Sequence, residues 1–215
     1  WDVAYYHELL QVAGGKERMK HHLHTKGFGV EINPEEVDDL VKKMHKHKTA
    51  VFVELIESGK LPLRPGVKRL MQEVNDAGLL LGICTTSNER AAQAVVNGML
   101  SEIKFKFVLA GDIVEKKKPD PEIYNLALSK SGFEPEECIV IEDSRNGVLA
   151  AHAAGLNIVA TTNIYTASEN LSDANIITTC LGDADGEKGK LNQGGEGIAY
   201  DGVLRLEQLM EYFSK

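Results

Sequence analysis

The sequence is poor in the features that mark secreted, membrane and nucleic-acid-binding proteins. It has three widely spaced cysteines, which fit neither a disulfide framework nor a metal motif and are typical of reduced core residues in an intracellular protein. No apolar run approaches the ~18 residues that span a membrane. The net charge of −8 argues against nucleic acid or an anionic membrane as the main partner. A small anionic substrate held by a local basic cluster is compatible with this composition.

The chain divides into two regions with different periodicity. Residues 1–62 show helical periodicity throughout, which predicts a helical domain with helices over 1–14, 15–27 and 34–58. In residues 63–215, strand-like and helical segments alternate with short connections, which predicts a parallel sheet with helices on both faces. The predicted fold class is therefore α/β, with a Rossmann-like core domain and a helical cap domain. The Gly-rich polar stretch 181–200 is expected to be a long loop.

The first strand of this second region ends in residues that suit an anion. The strand "LLLGIC" runs into Thr85, Thr86 and Ser87, and Asn88 then opens a helix. Hydroxyl groups and the free amides of a helix N-terminus can cradle a phosphate. Ordinary helix capping by Ser87 or Asn88 explains the same residues equally well.

Charged residues stand at two later points of the chain, one directly before a proline and one at the end of a predicted strand. Lys118, the last of three consecutive lysines, precedes Pro119, which restricts its backbone and would aim the ammonium at a phosphate. The strand "CIVIED" ends on Glu142 and Asp143, two adjacent carboxylates with no neighbouring base. Mg²⁺ prefers such oxygen ligands, so a magnesium site is favoured over an acid–base pair. A helix cap with one spare surface acid is the plainer alternative.

The helical region adds a second set of candidates for binding an anion. Lys48 falls on the predicted apolar stripe of its helix, with His45 one turn earlier, and is expected to face the cleft and bind a second phosphate. The other lysines of "KKMHKHK" are expected to be solvated, and His21, His22 and His24 are expected to lie on the surface. Further substrate-binding candidates are Gly14, Gly15, Lys16, Arg18 and Arg64, the last at the junction of the two regions.

The order of these motifs resembles a known family. T-T-S-N, K-K-K-P-D-P-x-x-Y and I-E-D-S-x-x-G resemble the second, third and fourth motifs of the haloacid dehalogenase-like hydrolases with a helical cap. "GGKERM" (14–19, which includes Glu17), "HKHKT" (45–49), "LPLRPGV" (61–67) and "TTSNERA" (85–91) resemble the CbbY-like branch, found in photosynthetic bacteria and plastids. The resemblance implies a soluble enzyme of the chloroplast in a plant or alga, or of the cytoplasm in a bacterium.

The resemblance also implies an activity. It points to Mg²⁺-dependent hydrolysis of a small phosphorylated sugar, xylulose 1,5-bisphosphate with ribulose 1,5-bisphosphate as a lesser substrate, through an aspartyl-phosphate. Asp143 would bind Mg²⁺, and Glu142 would bind it directly or through water. Lys118 would pair with the nucleophile and a phosphoryl oxygen. The Thr85 hydroxyl and the next two amides would hold the remaining oxygens. We expect a monomer. The alternatives are a phosphoryl mutase of the β-phosphoglucomutase kind and a non-catalytic phosphometabolite-binding protein.

One motif of the family is missing from its place. The first motif, D-x-D-G at the end of a strand that precedes the cap helices, carries the nucleophile, and no such strand comes before these helices. Asp2 sits at a helix start and does not substitute for it. We expect the motif to lie upstream of Trp1 and the chain as given to be unable to turn over.

Overall fold

The computed structural model describes residues 1–214. The first region is helical, as predicted. It contains α1 (Val3–Leu10), α2 (Gly15–Thr25) and α3 (Val37–Glu57), and a short 3₁₀ turn, Pro34–Glu36, leads into α3. We call these elements, residues 3–57, the helical segment. Asp2 caps α1 by accepting the Tyr5 N–H at 2.8 Å, as expected of an acid at a helix N-terminus.

The remainder alternates between strands and helices, which confirms the α/β fold class. Its helices are α4 (Val67–Asp76), α5 (Glu89–Met99), α6 (Glu122–Ser131), α7 (Arg145–Ala153) and α8 (Leu206–Phe213). Its strands are β1 (Gly82–Cys84), β2 (Phe107–Leu109), β3 (Ile139–Glu142), β4 (Asn157–Thr161), β5 (Ile176–Thr178) and β6 (Leu191–Gln193). We call these elements, residues 67–213, the α/β region. No helix among residues 1–214 is both long and apolar enough to cross a membrane.

The strands form two separate groups. β1 pairs in parallel with β2, while β3, β4 and β5 are parallel neighbours and β6 joins β5 antiparallel. The expectation of a structureless loop over 181–200 was wrong for its middle, because β6 lies inside it. Gly194 permits this pairing, since a Cβ there would come within 1.9 Å of the Asn175 carbonyl oxygen.

Helices cover both faces of the larger sheet, so the α/β region has an apolar layer on each side of it. On one face Val148, Ala150 and Ala151 of α7 are fully buried with Ile158 of β4. Small residues on α7 let the helix approach the sheet closely. The other face packs against α4 and α8, and its buried residues are Leu70, Val159, Ile176, Leu181, Leu204 and Leu209. These layers hold the carboxyl ends of the strands at one edge.

Two expectations for the helical segment need correction. On α3 the buried residues are Val41, Thr49, Val53 and Ile56. Val51, which the periodicity places on the predicted apolar stripe, is exposed, so the packed face is rotated from that stripe. This face contacts both α2 and α5, and the second contact cannot be read from the periodicity of α3 alone. His22 is buried and bonded to the Tyr5 hydroxyl at 2.7 Å. The prediction that His22 lies on the surface was therefore wrong.

Candidate active site

Lys118 connects the carboxyl ends of two strands that do not pair with each other. Its Nζ donates to the carbonyl oxygen of Cys84 at 3.0 Å, at the end of β1, and to Oε1 of Glu142 at 2.5 Å, at the end of β3. Tyr124 also receives a hydrogen bond from this ammonium, at 3.0 Å, and donates its hydroxyl to Oε1 of Glu142. The Lys118 side chain is 11% exposed and that of Glu142 is 7% exposed. One buried ion pair therefore organises this edge of the sheet.

Burial of two charges is tolerated here because both are hydrogen-bonded. Gly147 makes room for the acid, since a Cβ at that position would overlap the Glu142 carboxylate. Burial, and then the charge of Glu142, raises the pKa of Tyr124 well above its usual range, which keeps the phenol a donor. The role of Tyr124 was missed in the sequence. It is the tyrosine of the K-K-K-P-D-P-x-x-Y motif, six residues after Lys118 in the first turns of α6, and this was the signal that could have found it.

Asp143 has a different environment from Glu142. It is exposed, and its carboxylate makes no hydrogen bond or ion pair within residues 1–214. Although the residue as a whole is exposed, the surrounding protein desolvates its carboxyl group. This desolvation, and then the charge of Glu142, raises the pKa of Asp143, while Arg64 and Lys118 act in the opposite direction. No three potential metal-ligating side chains cluster among the described residues. A single available carboxylate nevertheless fits Mg²⁺, which keeps several waters and takes one or two protein carboxylates together with substrate phosphate.

Side chains that follow β1 make hydrogen bonds to nearby backbone N–H groups. Asn88 caps α5 by accepting the Arg90 N–H at 3.0 Å, which is the plainer role considered for it. Thr85 accepts the Ser87 N–H at 3.1 Å through its side chain, so its hydroxyl oxygen lies within the turn. Thr86 lines a cavity described below.

The edges of β1 and β3 that face away from their partners are unpaired. β1 has a partner only on the β2 side and β3 only on the β4 side. Ile141 in β3 is 40% exposed and Gly82 in β1 is exposed, whereas β4 is buried along most of its length. Because both strand ends meet at Lys118, the two unpaired edges flank a single gap in the sheet.

A cavity of about 760 Å³ lies between the helical segment and the ends of β1 and β2. From α3 the lining residues are Lys42, His45, Lys46 and Thr49, which share one face at helical spacing. Lys48 is not among them. Its ammonium lies 5.7 Å from the ring centroid of Phe52, so its predicted place in the cleft does not match this cavity.

Burial and nearby charges shift the pKa of His45, which lies on this wall, and of Lys48, which lies outside it. Partial burial and the nearby positive charges, first that of Lys48, lower the pKa of His45. Partial burial, with a contribution from Arg18, also lowers the pKa of Lys48. This shift favours the neutral imidazole of His45, and an anion in the cavity would act in the opposite direction.

The turn that starts α2 closes one side of the cavity. Gly14 has a φ of +87° and Gly15 lies so close to His45 that a Cβ would approach its ring to 2.9 Å. Lys16 pairs with Asp112 at 3.2 Å, and Glu17 pairs with Lys117 at 3.3 Å. No sequence signal pointed to Asp112 or Lys117.

Arg18 and Arg64 are both engaged by the protein itself. Arg18 donates to the carbonyl oxygens of Leu9 and Val12 and to the Tyr6 hydroxyl, which ties α1 to α2. Arg64 donates to carbonyl groups at the ends of β4 and β5, and its acceptors are Thr161, Thr162 and Thr179. Arg64 thus holds strand ends and does not line the cavity beside Lys16.

The letters of the missing family motif occur once, in another context. Residues 183–186 read D-A-D-G. In the structure Asp183 accepts the Gly66 N–H at 2.8 Å and lies 3.7 Å from Arg69. Asp185 is exposed in a turn. Within residues 1–214, neither acid pairs with Lys118, so this stretch does not supply a nucleophile at the strand ends.

Comparison with known proteins agrees with this geometry. The model of the haloacid dehalogenase-like hydrolase family matches residues 1–155. A CBBY-like protein of Arabidopsis thaliana is 41% identical over 192 residues, 87% of this chain and 60% of that protein. The chain therefore spans less than two thirds of the length of this relative. The plasmid protein CbbY of Cupriavidus necator is 36% identical over 191 residues, 85% of this chain and 73% of that protein.

A solved structure adds a three-dimensional match. A crystal structure of a CbbY variant from Rhodobacter sphaeroides, in complex with xylulose-(1,5)-bisphosphate, aligns with a TM-score of 0.73 and 36% identity. The match covers 82% of this chain and 77% of that chain. The chain belongs to the haloacid dehalogenase-like hydrolase family, in the branch that includes the CbbY proteins.

Proposed function

We propose that this chain is the greater portion of a phosphatase that acts on a five-carbon sugar bisphosphate, with xylulose 1,5-bisphosphate as its main substrate and ribulose 1,5-bisphosphate as a lesser one. The observation that carries the proposal is the arrangement at the gap in the sheet. There, Lys118 joins the ends of β1 and β3, and Asp143 presents a free carboxylate beside it. The relative crystallised with xylulose-(1,5)-bisphosphate supports the choice of sugar.

An extended segment that ends in an aspartate completes this site. Neighbouring strands lie about 4.8 Å apart, so one strand can pair with β1 on one side and β3 on the other. Its last residue would then reach the ammonium of Lys118. That positive charge holds the aspartate ionised and orients it for attack on phosphorus.

The reaction then proceeds by transfer of the phosphoryl group to the protein. The aspartate oxygen bonds to phosphorus while the bond from phosphorus to the sugar oxygen breaks, and the sugar oxygen takes a proton from the second acid of the D-x-D-G motif. Water later hydrolyses the aspartyl-phosphate to free phosphate and the aspartate. Lys118 and the Thr85 hydroxyl, with the amide of Thr86 and the amide of Ser87 once it leaves the Thr85 oxygen, stabilise the charge on the phosphoryl oxygens. Asp143 would hold Mg²⁺ directly, and Glu142, whose oxygens are engaged by Lys118, Tyr124 and the Asp143 N–H, would hold it through water. Such an ion, when bound, supplies further positive charge at the phosphate.

The second phosphate of the substrate belongs on the cavity wall formed by the helical segment. Lys16, Lys42 and Lys46 line this wall together with His45. Since the strand ends hold only the phosphate that is cleaved, a remote phosphate gains its contacts here. This binding energy can hold the segment closed over the substrate and so favour the reaction.

Comparison of two neighbouring lysines tests this assignment. In a complete enzyme, Lys46→Ala should lower kcat/KM for xylulose 1,5-bisphosphate about tenfold or more, because a charge-assisted contact contributes about 1.5–3 kcal/mol. p-Nitrophenyl phosphate, which has no second phosphate, should be hydrolysed as before. Lys48→Ala is the matched control, because Lys48 lies outside the cavity lining. Equal losses on both substrates for Lys46→Ala would contradict the proposal.

A further inference from the structure

Four charges of alternating sign connect the helical segment to the α/β region. Lys16 at the start of α2 pairs with Asp112 at 3.2 Å, and Asp112 pairs in turn with Lys117 at 3.2 Å. Lys117 also pairs with Glu17 of α2 at 3.3 Å. The helical segment thus contributes Lys16 and Glu17, and the α/β region contributes Asp112 and Lys117. We call this group (Lys16, Glu17, Asp112 and Lys117) the ionic clamp.

Lys117 is the central member of the ionic clamp and differs from an ordinary surface lysine. Its side chain is only 17% exposed, and it alone pairs with a carboxylate on each side of the cleft. Gly14 lies against it, since a Cβ there would come within 3.3 Å of its Nζ. Its neighbour Lys116 is 73% exposed and lies 4.0 Å from Asp120 on its own segment. The three consecutive lysines therefore have three different environments.

The pKa shifts of Asp112 and Lys117 both favour the charged forms of these two residues. Hydrogen bonds from Lys117, and then from Lys16, lower the pKa of Asp112. Although burial alone would lower it, the hydrogen bonds and charges of Asp112 and Glu17 raise the pKa of Lys117.

We propose that Lys117 is a positioning residue that fixes the Gly14–Lys16 turn over the cavity and thereby sets the affinity for ligands with a remote phosphate. Lys117 and Lys118 are adjacent but serve different tasks, since Lys117 holds the helical segment and Lys118 holds the strand ends. The position of the turn decides where Lys16 stands on the cavity wall. The choice of ligand rests on the proposed function, whereas the holding of the turn does not.

Hydrogen exchange and equilibrium binding on the 215-residue chain test this proposal together. Lys117→Met should speed exchange of the amides of residues 18–21, the first hydrogen-bonded amides of α2, by about threefold to tenfold, as expected for loss of two partly buried ion pairs. Lys117→Met should weaken binding of ribulose 1,5-bisphosphate by a similar factor and leave binding of inorganic phosphate unchanged. Lys117→Arg should restore both values, and Lys116→Met is the matched control that should change neither.

Removal of an anionic partner separates positioning from direct contact. Asp112→Asn should reproduce the faster exchange, although an amide in place of this carboxylate removes no positive charge that a phosphate could use. The proposal is overturned if Lys117→Met and Lys116→Met exchange alike. It is also overturned if Lys117→Met weakens binding while exchange stays unchanged, because Lys117 would then contact the ligand itself. Failure of the unaltered chain to bind the bisphosphate, with the exchange differences intact, would instead refute the proposed substrate and leave the ionic clamp in place.

Discussion

Replacement of Lys118 by methionine should destabilise the protein because it leaves Glu142 charged and buried without its cation. Breaking a buried ion pair by removing one partner typically costs about 3–5 kcal/mol. The Tyr124 hydroxyl and the Asp143 N–H still donate to Glu142, so we expect the lower end, about 3 kcal/mol. That loss is a large share of the ~5–15 kcal/mol that stabilises a typical domain. Urea unfolding followed by circular dichroism measures it directly.

Two further variants test whether the loss of stability comes from the unpaired charge of Glu142. Lys118→Met/Glu142→Gln removes the unpaired charge and should recover at least about half of the lost free energy of unfolding. Lys116→Met removes the same charge from the exposed neighbour and should change stability by less than about 0.5 kcal/mol. A loss below about 1 kcal/mol for Lys118→Met, or no recovery in the double variant, would show that the buried pair described here is wrong.

Three other expectations follow from the site. Asp143→Asn in a complete enzyme should abolish Mg²⁺-dependent phosphate release while leaving the unfolding midpoint nearly unchanged, and wild-type turnover would refute its metal role. Arg64→Ala should lower the free energy of unfolding by about 2–4 kcal/mol, because carbonyl groups at the ends of β4 and β5 lose their donor, and a loss confined to substrate binding would contradict this. The pKa of Asp112 is lowered in the fold, so its stabilising contribution is complete above its ordinary value of about 3.9 and is lost as pH falls through the lower folded value. Protection of the amides of residues 18–21, taken relative to the intrinsic exchange rate at each pH, should accordingly fall at acid pH in the unaltered chain, whereas Asp112→Asn should show the lower protection already at neutral pH.

Most of the α/β region was predictable because its signals are local. Alternating apolar segments with short connections specify a parallel sheet, and the predicted strand "CIVIED" (138–143) lies within one residue of β3 at each end. β6 was missed because its three residues, Leu191–Gln193, are too few to show strand periodicity of their own, and it forms only where the edge of β5 offers hydrogen bonds.

The functional residues were predictable only in part, because some of them contact residues that are far away in the sequence. Lys118, Glu142 and Asp143 follow strand or proline signals that the sequence displays. The residues of the ionic clamp do not, since Lys117 pairs with Glu17 at a separation of 100 positions and no local pattern links them. Lys48 was assigned to the cleft from its place on a helical stripe, but it is not among the residues that line the cavity.

The central claim is that an aspartate-bearing strand placed between β1 and β3 makes this chain a phosphatase. Phosphate release from xylulose 1,5-bisphosphate should be measured with Mg²⁺ for the 215-residue chain alone and for the chain joined to an N-terminal strand that ends in D-x-D-G. We expect no release by the chain alone and free phosphate, without isomerised sugar phosphate, from the extended protein. Release by the chain alone, or an isomerised product from the extended protein, would contradict the claim.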